Sequence, residues 1–290
     1  MALPLGVIAV YAALAIWAGL LISGLRTKQF WPFLIFGLGL LLFLNIRYLI
    51  EGIPDGIAFF IGIYDVLDNL GVDQSVGADA LARCPDNACT VWGDRFVQHP
   101  SWGVAFHDRF LNGPELRTNL LYGHLICNSI VFVLMHIQLY RPGGRSTGSH
   151  RMLGRISFGF LTIGTICAVW LSSEHGPVSE YGGSLSAWGF YSMSFFVYGT
   201  AVMGVLAIRR GDAESHRIWM IRFAGSMWGA FWLFRVMLFV GGPIFRDFEA
   251  LNLLLCIWLS APLGILIAEV VRRKILDRRP GTGAALAAGE

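Results

Sequence analysis

Residues 120–155 read LLYGHLICNSIVFVLMHIQLYRPGGRSTGSHRMLGR, and this stretch decides the fold. Its first part is an apolar run that holds two histidines, His124 and His136, and stops at a short basic turn. His150-Arg151-x-x-Gly154-Arg155 then stands at the mouth of the next apolar run. About 20 apolar residues in helical form cover the hydrocarbon of a bilayer, so two such runs joined by a basic turn predict a pair of membrane-crossing helices. Imidazole and guanidinium are costly in hydrocarbon, so polar side chains placed here need partners and are functional candidates. A shorter echo, SHRIWMIR, runs from Ser215 to Arg222.

The rest of the chain has the same character. Of its 290 residues 55% are hydrophobic and 14% charged, and the mean hydropathy is +0.60. A soluble domain carries roughly a quarter of its residues as charges. The formal net charge of +3 sits in short clusters between apolar runs, not along one stripe, which excludes nucleic acid as a partner. There is no Gly-x-Gly-x-x-Gly, no Gly-x-x-x-x-Gly-Lys, no His-Glu-x-x-His and no Gly-x-Ser-x-Gly, so soluble-style nucleotide or hydrolase chemistry is not indicated.

A window of about 19 residues finds about seven spans. They run from Leu3 to Leu25, Phe30 to Ile50, Asn119 to Tyr140, Leu153 to Ser172, Leu185 to Ile208, Ile218 to Val240 and Leu251 to Val271. The expected fold is all-α: a polytopic transmembrane helix bundle with a small external cap. Strands are excluded because a lone strand cannot satisfy its backbone in lipid and no alternating barrel pattern is present. The turns at Arg26 to Lys28, Arg141 to Arg155 and Arg209 to Arg222, with the tail from Arg272, hold 15 of the 22 Lys and Arg. Basic loops stay in the cytoplasm, which predicts the N-terminus outside and the C-terminus inside. The first apolar run has no basic residue ahead of it and no small-residue cleavage site, so it is expected to remain as a span.

Five segments follow: two N-terminal helices in residues 1–50, an external cap in 51–118, a four-helix core in 119–240, a last helix with a basic end in 241–279, and a disordered tail in 280–290. The cap holds Cys84 and Cys89, which in an oxidising compartment are expected to close a short disulfide loop. Cys127, Cys167 and Cys256 fall inside apolar runs, where a thiol usually acts as a small hydrophobe.

Sorted by depth, the polar residues of the spans form two clusters. Asn45, Arg47, His124, Asn128, Glu174, His175 and Arg235 lie toward the outer face. His136, Gln138, His150, Arg151, Arg155, His216, Arg217 and Arg222 lie toward the inner one. His124 and His136 are about 18 Å apart along one helix, one toward each leaflet. Membrane cytochromes place two haems in that way. His175 would be the outer partner of His124, with His150 or His216 completing the inner site. Against this, twelve residues turn a helix so that the two rings point about 120° apart. The competing reading gives His150, His216 and their arginines to lipid phosphate and topology. Arg235, inside a span, is expected to pair with Glu174 or with an anionic group, and Arg47 to snorkel. Gly225 and Gly229 make a small-xxx-small helix face.

His124 with Gln138, His150-Arg151-x-x-Gly154-Arg155, His216-Arg217-x-Trp219-Met220-x-Arg222 and Arg235 together resemble a bacterial multi-pass family known only as domain of unknown function 2306, over about Asn119 to Val240. The resemblance implies a four-helix core with polar residues at both faces, and it leaves out His136 and His175. It implies no activity. The leading expectation is a redox-associated or electron-transfer protein holding haem b or quinone in the four-helix core. Its candidate iron ligands or proton carriers are His124, His150 and His216, and its binding residues are Arg151, Arg155, Arg217, Arg222 and Arg235. Two alternatives stand beside it. One is a non-catalytic subunit docking other membrane proteins through its cap and first two helices; the other is a transporter of a small anionic solute. The bilayer itself is a partner in every case.

Overall fold

Gln138 and Gly154 face each other at one end of a helical hairpin, and Asn128 and Gly164 face each other ten residues further along it. This register, in which one strand of numbers falls as the other rises, makes the two helices antiparallel. They are α3 (Glu115–Leu139) and α4 (Gly148–Ser173). The computed structural model describes residues 5–50, 52–53, 113–139, 148–173, 184–244 and 249–273, and among them every regular element is helical. Ahead of the hairpin stand α1 (Leu5–Thr27) and α2 (Trp31–Ile50). After it come α5 (Ser184–Arg209), a composite α6 and α7 (Glu249–Val271). The composite joins Ala213–Trp228, a π-helical turn Gly229–Leu233 and Phe234–Ile244.

Among the described residues five helices are long and apolar enough to cross a bilayer by length and composition: Trp31–Ile50, Glu115–Leu139, Gly148–Ser173, Leu185–Arg209 and Leu251–Val271. The family of spans expected at 3–25 and 218–240 corresponds to α1, whose described apolar part is Ala12–Thr27, and to the interrupted α6. The chain is a multi-pass helical membrane protein. Its outward surface fits that solvent: Ile163, Ile166, Phe195, Leu266 and Ile267 are all exposed on long apolar helices. In water this would be a liability, whereas lipid accepts it.

Connections are built by local chemistry. α5 ends at Gly211, which takes φ +80°, a left-handed conformation that glycine reaches without a Cβ clash. Its N–H donates to Ile208 O at 3.1 Å and the next one, of Asp212, to Ala207 O at 3.1 Å. The Asp212 carboxylate then accepts from Ser215 N–H at 2.9 Å as the N-cap of α6. Hydrogen bonding from the Ser215 side chain, and then from its backbone N–H, holds the Asp212 carboxyl below its ordinary range. The tight turn brings the start of α6 against the end of α5.

The inner layer is apolar and filled. Leu41 of α2, Val131 and Phe132 of α3, Leu161 of α4, Ala201 of α5, and Phe223 and Met227 of α6 form one buried cluster. On the far side, α6 and α7 meet almost backbone to backbone. A Cβ added to Gly225 would lie 2.5 Å from Ala268 Cβ and 2.5 Å from Gly264 O. One added to Gly229 would lie 2.9 Å from Ala261 Cα. The small-xxx-small face read from the sequence is therefore the α6–α7 contact. Cys84, Cys89, His99, His107, Glu174, His175 and the cap and tail lie outside the described residues.

Candidate functional site

Two polar sites flank the apolar layer, and His124 centres the outer one. Its ring leaves α3 toward α4, where Gly164 has no side chain to obstruct it. His124 Nδ1 lies 3.2 Å from Gly164 O and 3.0 Å from Asn128 Nδ2. A carbonyl can only accept, so a proton on Nδ1 is donated to Gly164 and leaves Nε2 a bare acceptor. With the proton on Nε2 instead, Nδ1 accepts from the Asn128 amide. One turn of helix thus supports either tautomer.

Across from this pair, Asn45 of α2 donates from Nδ2 to Ser129 Oγ at 2.9 Å. Asn45 is buried, 2% exposed, and among the described residues its Oδ1 has no donor. A buried amide oxygen without a donor costs on the order of 1–3 kcal/mol. Tyr48 stands one turn along the same face of α2. Arg235, half-buried on α6, completes the group: it lies within electrostatic reach of both Tyr48 and His124. Its guanidinium donates to the carbonyl of Phe231 in its own helix. The π turn explains why that carbonyl is within reach. The N–H of Phe234 bonds to Gly229 O, five residues back, which widens the backbone just ahead of Arg235. Among the described residues Arg235 has no carboxylate partner, and the Glu174 expected for it lies outside them.

The inner site joins the first turns of α4 and α6. The rings of His150 and His216 stand 6.4 Å apart, centroid to centroid, at 89°. His216 Nδ1 donates to Gly204 O of α5 at 2.8 Å, which fixes the ring and leaves Nε2 facing away from that carbonyl. Arg151, Arg155 and Arg217 are exposed at this rim, Arg217 pairing with Glu214 at 2.9 Å. Arg222 instead turns to α7. Its Nε donates to Glu269 at 3.3 Å, and its guanidinium lies 4.7 Å from the centre of the Trp219 ring. Glu269 also accepts from Arg272 and Arg273, each at 2.6 Å.

Several expectations change. Of the three histidines proposed as ligands, the structure joins His150 and His216 and keeps His124 apart: Gly164, which touches His124, is fourteen residues along α4 from His150, about 21 Å. His136 belongs to neither site. It is buried, with its Nδ1 2.6 Å from Phe132 O, and packs between Phe132 and Trp228. The layer between the two sites is occupied by Phe132, Leu161, Phe223 and Met227. Among the described residues no three His, Cys, Asp or Glu side chains cluster as a metal site. Arg222 is a structural cation paired with α7 and not a member of the His150–His216 pair.

The sequence reading overlooked Tyr48, Ser129 and Glu269. Tyr48 had a signal, its spacing of three from Asn45. Glu269 had one too: an acid in the last turn of an apolar span, just ahead of Arg272 and Arg273. Its loss should be felt. Glu269→Gln strips a partly buried Arg222 of its counter-charge and is expected to cost about 2 kcal/mol, read as a lower melting temperature in detergent. A variant as stable as the parent would remove Glu269 from the forces joining α6 to α7.

No curated protein and no solved structure matches the chain. A family model described as "Predicted membrane protein (DUF2306)" matches residues 121–271, which reaches past the four-helix core to include α7. The match covers more than half of the chain and takes in His124, Arg235, the His150–His216 pair and the α6–α7 contact, and this chain belongs to the DUF2306 family of membrane proteins.

Proposed function

We propose that this protein is a redox-associated membrane protein whose outer site, between α2, α3 and α6, holds the headgroup of a lipid-soluble quinone. The observation that carries the reading is two unmet needs on α2 and α6, helices that touch at the π turn. Arg235 brings guanidinium N–H donors with no carboxylate among the described residues, and Asn45 brings an amide oxygen with no donor. A quinone carbonyl accepts from the first, and a quinol hydroxyl donates to the second. His124 supplies the third requirement. Its ring can carry the proton on either nitrogen, so it can donate to a quinone carbonyl or accept from a quinol hydroxyl.

Haem b stands second, because His124 is kept apart from the His150–His216 pair and one haem cannot draw on all three histidines. A solute pathway is disfavoured as well, since the buried cluster from Leu41 to Phe231 separates the two polar sites with apolar side chains.

The test is quinone binding to full-length protein in lipid nanodiscs, followed by quenching of tryptophan fluorescence with a short-chain benzoquinone. Saturable quenching is expected, and His124→Ala should weaken it about tenfold, the loss of one hydrogen bond to a buried polar group. Quenching that His124→Ala and Arg235→Met leave unchanged would overturn the assignment. A haem Soret band in purified protein that His124→Ala abolishes would replace quinone with haem.

A further inference from the structure

Cys127 and Cys167 lie on the two facing helices of the α3–α4 hairpin. The α3–α4 register pairs Gln138 with Gly154 and Asn128 with Gly164. Three residues further along α4, Cys167 stands opposite Leu125, midway between Gly123 and Cys127 on α3. The contact is direct on one side: a Cβ on Gly123 would lie 3.1 Å from Cys167 Sγ. On the other side Cys127 is two residues away, about 3 Å along the axis, and the thiols are within electrostatic reach of each other. Glycine at 123 and at 164 lets the helices approach closely at this level, as the 3.2 Å contact of His124 with the Gly164 carbonyl shows. An interhelical disulfide requires Cα atoms about 4.4–6.8 Å apart, which is a separation for helices packed on glycine. The thiols also sit beside the outer site, since Cys127 is adjacent to Asn128 and three residues from His124.

We infer that Cys127 and Cys167 form a redox-active dithiol that closes to an interhelical disulfide and passes its electrons to the quinone headgroup beside His124. The inference rests on the quinone reading above and adds the electron donor to it. Two S–H bonds break and one S–S bond forms. The two electrons and two protons released convert both quinone carbonyls to hydroxyls, so quinone and dithiol become quinol and disulfide. His124 is the nearest base to take up a thiol proton. Thiolate is the attacking form, and His124 stands one helical turn from Cys127 on the same helix.

The experiment uses full-length protein in nanodiscs, reduced and freed of reductant, then treated with a short-chain benzoquinone. Non-reducing peptide mapping by mass spectrometry reads the Cys127–Cys167 bridge, and ultraviolet absorbance reads the quinol. The expected result is a bridged peptide with about one quinol per bridge, as a two-electron couple requires. Cys127→Ser and Cys167→Ala should each abolish both signals, while Cys256→Ser keeps them. Size-exclusion elution of each variant reports folding, and mapping of the unaltered protein needs no variant at all. Quinone bound by the fluorescence assay with both thiols still free overturns the dithiol and leaves the quinone reading standing. A bridge formed by a copper-phenanthroline oxidant but never by quinone overturns the electron transfer, and with it the proposal.

Discussion

Gly229→Leu should leave almost no monodisperse protein after detergent extraction, whereas Gly39→Leu should elute as the parent does. Gly229 lies where α6 crosses α7, and a side chain there meets the backbone of Ser260 and Ala261. Flexible side chains can rotate away from an intruding methyl; backbone in a packed helix cannot. Inserting methylenes into a filled core typically costs about 1–3 kcal/mol, and here the obstacle is rigid, so about 3 kcal/mol or more is expected. The neighbouring Gly225–Gly264 contact would open with it, and the Arg222–Glu269 pair lies one further turn along the same seam. Gly39 is the control because a Cβ there meets nothing within 4 Å and its surface is exposed. Fluorescence-detected size exclusion checks both. Equal melting temperatures for the two variants would mean that α6 and α7 do not depend on close approach.

Arg235→Met should raise the melting temperature and at the same time lower quinone affinity at least about tenfold. The two effects have one cause. An arginine within a span costs at least about 2.5 kcal/mol near the bilayer centre, less where it can reach the headgroups, and Arg235 recovers part of this from the Phe231 carbonyl. Methionine has similar length and no charge, so the cost disappears and packing is kept. Binding loses a charge-assisted hydrogen bond, worth about 1.5–3 kcal/mol, and every 1.4 kcal/mol is a factor of ten in affinity. A folded state that carries an uncompensated charge when empty gains when a ligand supplies the acceptor. If the variant instead melts lower and binds quinone as before, Arg235 holds the π turn together and serves no ligand.

The two outcomes separate kinds of residue that look alike on a hydropathy plot. Gly225 and Gly229 read as a common packing motif, and the structure makes them the place where the last helix attaches. Arg222 and Arg235, thirteen residues apart on one helix, read as two cations of the same sort. The structure sends the first to Glu269 and leaves the second between Tyr48 and His124. The resemblance drawn from the histidine and arginine motifs ended near Val240, because α7 carries no such motif. The family match extends to residue 271 and so takes in α7, which supplies the glycine and the carboxylate that meet the α6 surface.

The sequence by itself determined that this chain is a bundle of membrane helices, because the need to satisfy every backbone group in lipid makes a long apolar run legible without knowledge of its neighbours. It also separated the polar residues by depth, since rise per residue is a property of one helix. Which of those residues meet was decided only in three dimensions. Contact depends on the rotation of each helix about its axis and on register between helices, and both are set by glycine positions and by the π turn at Gly229–Leu233. That is why His124 and His136 part company although they share a helix, while His150 and His216 meet although 66 residues divide them.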